Sequence, residues 1–105
     1  MSFTKFTLWF NFEIIILMMN VEKKAAILKA LGQPTRLRII EYLRDGERCV
    51  CKIFPAISGQ QSNVSRHLAV LKEAGLVSDR REGVSVFYRT KDPSIYKILD
   101  QLNRK

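Results

Sequence analysis

The chain has 105 residues and a net charge of +8, with 18 Lys and Arg against 10 Asp and Glu. That length allows one small domain with a limited core, so association with a second copy is a natural route to stability. Two cysteines one residue apart are no secreted disulfide framework, one histidine and no Gly-rich phosphate loop leave little to catalyse with, and the positive charge points to nucleic acid.

The first 19 residues, MSFTKFTLWFNFEIIILMM, hold five of the ten aromatics, at Phe3, Phe6, Trp9, Phe10 and Phe12. Their apolar run over 14–19 is far short of the ~20 residues a membrane-spanning helix needs. A strongly basic start and a small-residue cleavage site are both missing, so the stretch makes a poor signal peptide. Residues 1–19 read as an apolar extension outside the native protein, with translation expected to start at Met18 or Met19. The alternative is an added strand or helix covering an apolar dimer surface. Residues 20–105 then form the domain.

Apolar residues at 21, 25, 28 and 31 predict a first helix over 21–31, with Gly32 just past its end. Pro34 suits the first turn of a second helix over 34–44, with Leu37, Ile40 and Tyr42 or Leu43 toward the core. Asp45-Gly46 is a turn. A short third helix over 50–57 contains Pro55, which should shorten or kink it. Ser58-Gly59 breaks the chain again. A fourth helix over 61–74 carries Val64, Leu68 and Leu71 on one face and stops at Gly75.

The period then changes to two. Strands over 76–81 and 84–90 are joined around Glu82-Gly83. Asp92-Pro93-Ser94 starts a last helix over 94–103, with Ile95, Ile98, Leu99 and Leu102 as its stripe. Four helices, a hairpin and a helix give a mainly α fold with a small β-hairpin, a winged helix-turn-helix. A body this small cannot bury all its apolar stripes, so the first and last helices are the expected dimer surface.

The fourth helix opens Gln61-Ser62-Asn63-Val64-Ser65-Arg66-His67. Short polar groups plus one arginine suit a major groove, where Gln pairs with adenine, Arg with guanine, and Ser or Asn reaches bases or phosphates. The hairpin adds Arg80, Arg81 and Arg89, with Lys91 after it, as phosphate contacts flanking the groove.

ALGQPTRLRIIEYL, SNVSRHLAVLKEAGLV and DRREGVSVFYR together resemble the ArsR/SmtB family of small dimeric repressors, over about residues 25–105. The resemblance implies a winged-helix homodimer joined through its first and last helices. It also implies binding to double-stranded operator DNA in the cytoplasm, with no membrane, and release by a metal, metalloid, other inducer or oxidant. It puts Gln61, Ser62, Asn63, Ser65 and Arg66 on the DNA-facing part of the recognition helix. His67 is expected to be partly buried or a phosphate donor. Val84 follows Gly83 where the family often has a basic residue, which shifts wing contact to Arg80 and Arg81.

RCVC at 48–51 resembles the family's metalloid motif, Cys-Val-Cys-Asp-Leu-Cys. Cys49, Val50 and Cys51 match; Lys52 replaces the acid and Phe54 the third cysteine. No cofactor is implied, and the inducer is As(III), Sb(III) or another thiophilic ion held by Cys49 and Cys51. Residues two apart on a helix point about 200° apart, so the pair can share one ion only if the turn unwinds. A site at or before the helix start, with Pro55 weakening the helix behind it, allows that distortion, and the distortion is expected to move the fourth helix off DNA. The helix start, Arg48 and Lys52 should favour thiolate. The same thiols suit oxidation, which leaves a redox-sensing repressor as an alternative. A DNA-binding protein with no inducer, its cysteines small apolar side chains, is another.

Overall fold

The computed structural model describes residues 20–57 and 61–103, and of Gln61 and Ser62 the backbone alone. The extension over 1–19 and the break at Ser58-Gly59 lie outside the described residues. Helix α1 runs through 20–31. Then come α2 (Pro34–Tyr42), β1 (Arg48–Cys49), α3 (Val50–Ile57), α4 (Gln61–Glu73), β2 (Val77–Glu82), β3 (Ser85–Thr90) and α5 (Ile95–Gln101). The strands form one antiparallel sheet in the order β1-β3-β2. This is the winged helix-turn-helix arrangement, and β2 with β3 is the wing.

The helix ends follow from their capping residues. Gln33 accepts the Arg36 N–H at 2.9 Å and Pro34 takes the first helical position of α2. Helix α2 stops at Tyr42, two residues before the expected end, because the chain turns through Leu43 and Arg44 into Gly46 at φ 136°. Gly75, at φ 79°, closes α4. Its N–H reaches the Lys72 carbonyl and the Leu76 N–H reaches that of Leu71, both at 3.0 Å. That paired closure needs a left-handed residue, so glycine suits it. Pro55 is accommodated within the eight residues of α3.

Ile39, Ile40, Leu43, Ile53, Val64, Leu68, Leu71 and Val77 are the most deeply buried side chains. They join α2, α3, α4 and the wing in one core. Tyr96 docks α5 onto this body. Its hydroxyl donates to the Ile40 carbonyl at 2.6 Å, one of the last carbonyls of α2. That uses its single proton, so Thr90 must donate to Tyr96. Arg44 lies 4.6 Å over the Tyr96 ring and pairs with Glu41 and Asp100. Tyr96→Phe would leave the buried Thr90 hydroxyl short of a partner and remove one of the two donors to the Ile40 carbonyl, which keeps the Leu43 N–H. It is expected to lower stability by about 1–3 kcal/mol, read as a lower urea midpoint at unchanged slope.

Not every apolar residue of the outer helices is covered. Ile95 and Leu99 are buried, but Ile98 is 54% exposed on α5 and Leu28 is 62% exposed on α1. The two line one apolar groove between α1 and α5 with Ile27 and Ile95. Among the described residues no helix is long and apolar enough to cross a membrane.

Candidate nucleic-acid interface and thiol site

Helix α4 has two faces. Val64, Leu68 and Leu71 recur at helical spacing and are buried to within 1%. Asn63, Ser65 and Arg66 are exposed between them. Gln61 and Ser62 belong to the first turn, and their side chains lie outside the described residues. The buried stripe therefore fixes which side chains of α4 are free to reach a groove.

His67 sits at the edge of that exposed face, half-buried. Its Nδ1 lies 3.3 Å from Nη1 of Arg36 on α2. Burial, then the positive charges of Arg36 and Arg66, holds the imidazole below its ordinary pKa. The partial burial expected for this histidine is what the structure has; its arginine partner lies 31 residues away and had no sequence signal.

The wing differs from its expected form in three respects. Its strands begin one residue later than predicted, at Val77 and Ser85, and Gly83 with Val84 forms the turn. Gly83 has φ 63° and Val84 stands 97% exposed at the tip. Arg80, expected on phosphate, is exposed and paired with two surface carboxylates of the same chain. It donates to Glu47 at 2.7 and 2.8 Å and to Glu82 at 2.6 Å, and it covers the Phe87 ring at 4.6 Å. Arg80 in turn holds the Glu47 carboxyl below its usual range.

Register explains the contrast with Arg81. Residues paired across antiparallel strands share a face. Arg80 pairs with Phe87, whereas Arg81 pairs with Val86, on the face of Tyr88, Val77 and Thr90 that packs on the core. Arg81 thus points to the helix side of the wing, exposed, with no hydrogen bond or ion pair among the described residues. Lys72 of α4 pairs with Asp79 of β2 at 3.1 Å, which ties α4 to the wing.

The cysteines flank a junction of two elements. Cys49 ends β1 and Cys51 lies in the first turn of α3. The change from strand to helix removes the 200° divergence expected within a helix. The two sulfurs adjoin as a disulfide, with Cα atoms 5.1 Å apart. Cys49 Sγ also accepts the Cys51 N–H at 3.2 Å.

Strand β1 itself was not foreseen, and it corrects the charge setting. Arg48 pairs with Tyr88 and Cys49 with Phe87, so the two side chains leave opposite faces of the sheet. The Arg48 guanidinium lies 4.9 Å over the Tyr42 ring rather than beside the sulfurs. Lys52 is exposed on α3. Phe54 is half-buried against the core, so the place of a third thiolate is taken by packing. Among the described residues no group of three or more His, Cys, Asp or Glu is arranged to hold an ion.

Residues 33–79 match the family described as bacterial regulatory protein, arsR family. An uncharacterized HTH-type transcriptional regulator of Methanocaldococcus jannaschii is 44% identical over 89 residues, which is 81% of this chain and all of the relative. The arsenical resistance operon repressor of Escherichia coli is 45% identical over 80 residues, 71% of this chain and 68% of the relative. Among solved structures, the homodimeric winged helix-turn-helix DNA-binding domain Mb0332 of Mycobacterium bovis, titled a possible ArsR-family transcriptional regulator, superposes with a TM-score of 0.74. It is 32% identical and covers 81% of this chain and 79% of that one. These relatives are transcription regulators, not enzymes.

Proposed function

Because the chain belongs to the arsR family of bacterial regulatory proteins, we propose that it is a repressor released from its operator by a soft metal or metalloid at Cys49 and Cys51. The observation that carries this reading is the meeting of the two sulfurs across the β1–α3 junction. Once reduced, a pair so placed can chelate one As(III) or Sb(III) without unwinding a helical turn. Two protein sulfurs hold the ion, and any third ligand comes from outside.

The DNA face of this reading is the exposed side of α4: Gln61, Ser62, Asn63, Ser65 and Arg66 toward the groove, His67 toward the backbone. Arg81 serves the wing, and Arg80 is withdrawn from it by Glu47 and Glu82. A second copy docks on the exposed Leu28 and Ile98, giving a homodimer joined through α1 and α5. The protein works on double-stranded DNA in the cytoplasm.

The route from thiols to DNA is short. Cys51 opens α3, and α3 packs against α2, β3 and α4 through Ile53, Val50 and Phe54. An ion bridging Cys49 and Cys51 resets the geometry of the β1–α3 junction and, through it, the placement of α3 and α4. Release follows only if the ion binds the DNA-free arrangement better than the DNA-bound one.

The bonded sulfurs favour a second reading as well, a dithiol–disulfide switch. Peroxide would take two electrons and two protons from the pair, forming the S–S bond and two waters. Anisotropy of labelled DNA from upstream of the gene separates the readings. Reduced protein should bind; arsenite release marks the first, and release by peroxide alone, reversed by dithiothreitol, marks the second. Binding unchanged by either leaves a regulator without a thiol inducer.

A further inference from the structure

Arg36 joins three helices at one point. Its Nε donates to the Ala30 carbonyl and its Nη2 to that of Lys29 at 3.5 Å, at the C-terminal end of α1. Its backbone N–H bonds the Gln33 side chain that caps α2. Its Nη1 faces Nδ1 of His67 on α4 at 3.3 Å. A guanidinium carries donors and no acceptor. The His67 Nδ1 must therefore accept, and in a neutral imidazole the proton is then on Nε2.

We propose that Arg36 is a positioning residue for DNA binding: it fixes His67 as the neutral Nε2–H tautomer, aimed as a hydrogen-bond donor to the DNA backbone. The proposal rests on the reading of α4 as the recognition helix. His67 is half-buried at the edge of the exposed face of α4, beside the exposed Arg66. With Nδ1 turned to Arg36, Nε2 is the ring's one remaining donor, the atom a phosphate oxygen would accept from.

The charges that act on the ring agree with this assignment. Arg36 comes from α2 and Arg66 from α4 itself, and both are positive. From the groove where α1 meets α4, Lys29 and Glu73 accompany Arg36. Protonation of Nδ1 would replace an acceptor by a donor facing a guanidinium. The neutral form is thus the one compatible with this packing. Arg36 also links the end of α1, half of the proposed dimer surface, to α4.

His67 is the only histidine of the chain, so its nitrogens give an unobstructed signal in 15N-histidine-labelled protein. The expected spectrum has Nε2 protonated and Nδ1 bare, with a titration midpoint below the ordinary histidine value. In Arg36→Met the midpoint should rise, because a positive charge is removed. Operator affinity of that variant should then tighten on going from about pH 7.5 to 6, while the wild type changes little. His67→Leu should weaken binding about fivefold on every DNA sequence, the loss of one neutral hydrogen bond. It should leave the salt slope unchanged, since no counterion contact is lost.

An Nδ1–H tautomer in the wild type overturns the positioning role, even where Arg36→Met fails to fold. An unmoved midpoint in folded Arg36→Met overturns it too. The expected tautomer, with His67→Leu binding DNA as the wild type does, overturns the donor role. Wild type and His67→Leu both failing to bind any DNA overturns the α4 reading itself, a result the tautomer spectrum does not depend on.

Discussion

Leu68→Ala is expected to destabilise the fold by about 2–5 kcal/mol, the range for a large-to-small change at a closed core site. Leu68 is 1% exposed on the inner face of α4, between Val64 and Leu71 at 0%. The surrounding core draws on α2, α3, α4 and the wing, so the cavity cannot be closed by moving one element. A small domain has only about 5–15 kcal/mol of stability in total. The variant should therefore lose its operator in step with its unfolded fraction. Urea titration measures this directly, and a loss below about 1 kcal/mol would mean that α4 does not rest on this core.

Arg66→Ala should do the opposite: leave the urea midpoint where it is and remove DNA affinity. Arg66 is two positions from Leu68, exposed, and has no hydrogen bond or ion pair among the described residues. If it reads a guanine edge, its loss should cost about 1–3 kcal/mol on the specific site and much less on unrelated DNA. If it touches phosphate, the loss should be uniform and the salt slope should fall by about one. Anisotropy on operator and scrambled duplexes at two salt concentrations separates these outcomes. An unchanged affinity on both would remove Arg66 from the interface.

The two variants show why so much of α4 was legible in advance. Val64, Leu68 and Leu71 announce a face by spacing alone, and Gly75 announces the end because the closing residue is left-handed. The family motifs lie on these same stretches. What escaped was set by partners far away in the chain. Glu47 takes Arg80 from 33 residues off, and Arg36 reaches His67 across 31. No periodicity encodes such pairs. Strand β1 escaped for another reason: two residues carry no alternation to detect, and only pairing with Tyr88 and Phe87 makes them a strand.

That short strand changes the thiol site most. Read as parts of one helix, Cys49 and Cys51 diverge and need an unwound turn. Placed on either side of a strand-to-helix junction, they meet. The same strand turns Arg48 to the face opposite Cys49 and onto Tyr42. Phe54 accounts for the missing third sulfur by filling core space. A site with two protein sulfurs leaves an ion open to exchange with outside thiols.

Arsenite titration of the reduced protein on labelled operator, repeated with Cys49→Ser plus Cys51→Ser, bears most directly on the proposed inducer site. The wild type should leave the DNA as arsenite rises. The double variant should bind the operator with wild-type affinity and stay bound throughout. Release of the double variant at the same arsenite concentration would contradict a sensor built on these two sulfurs.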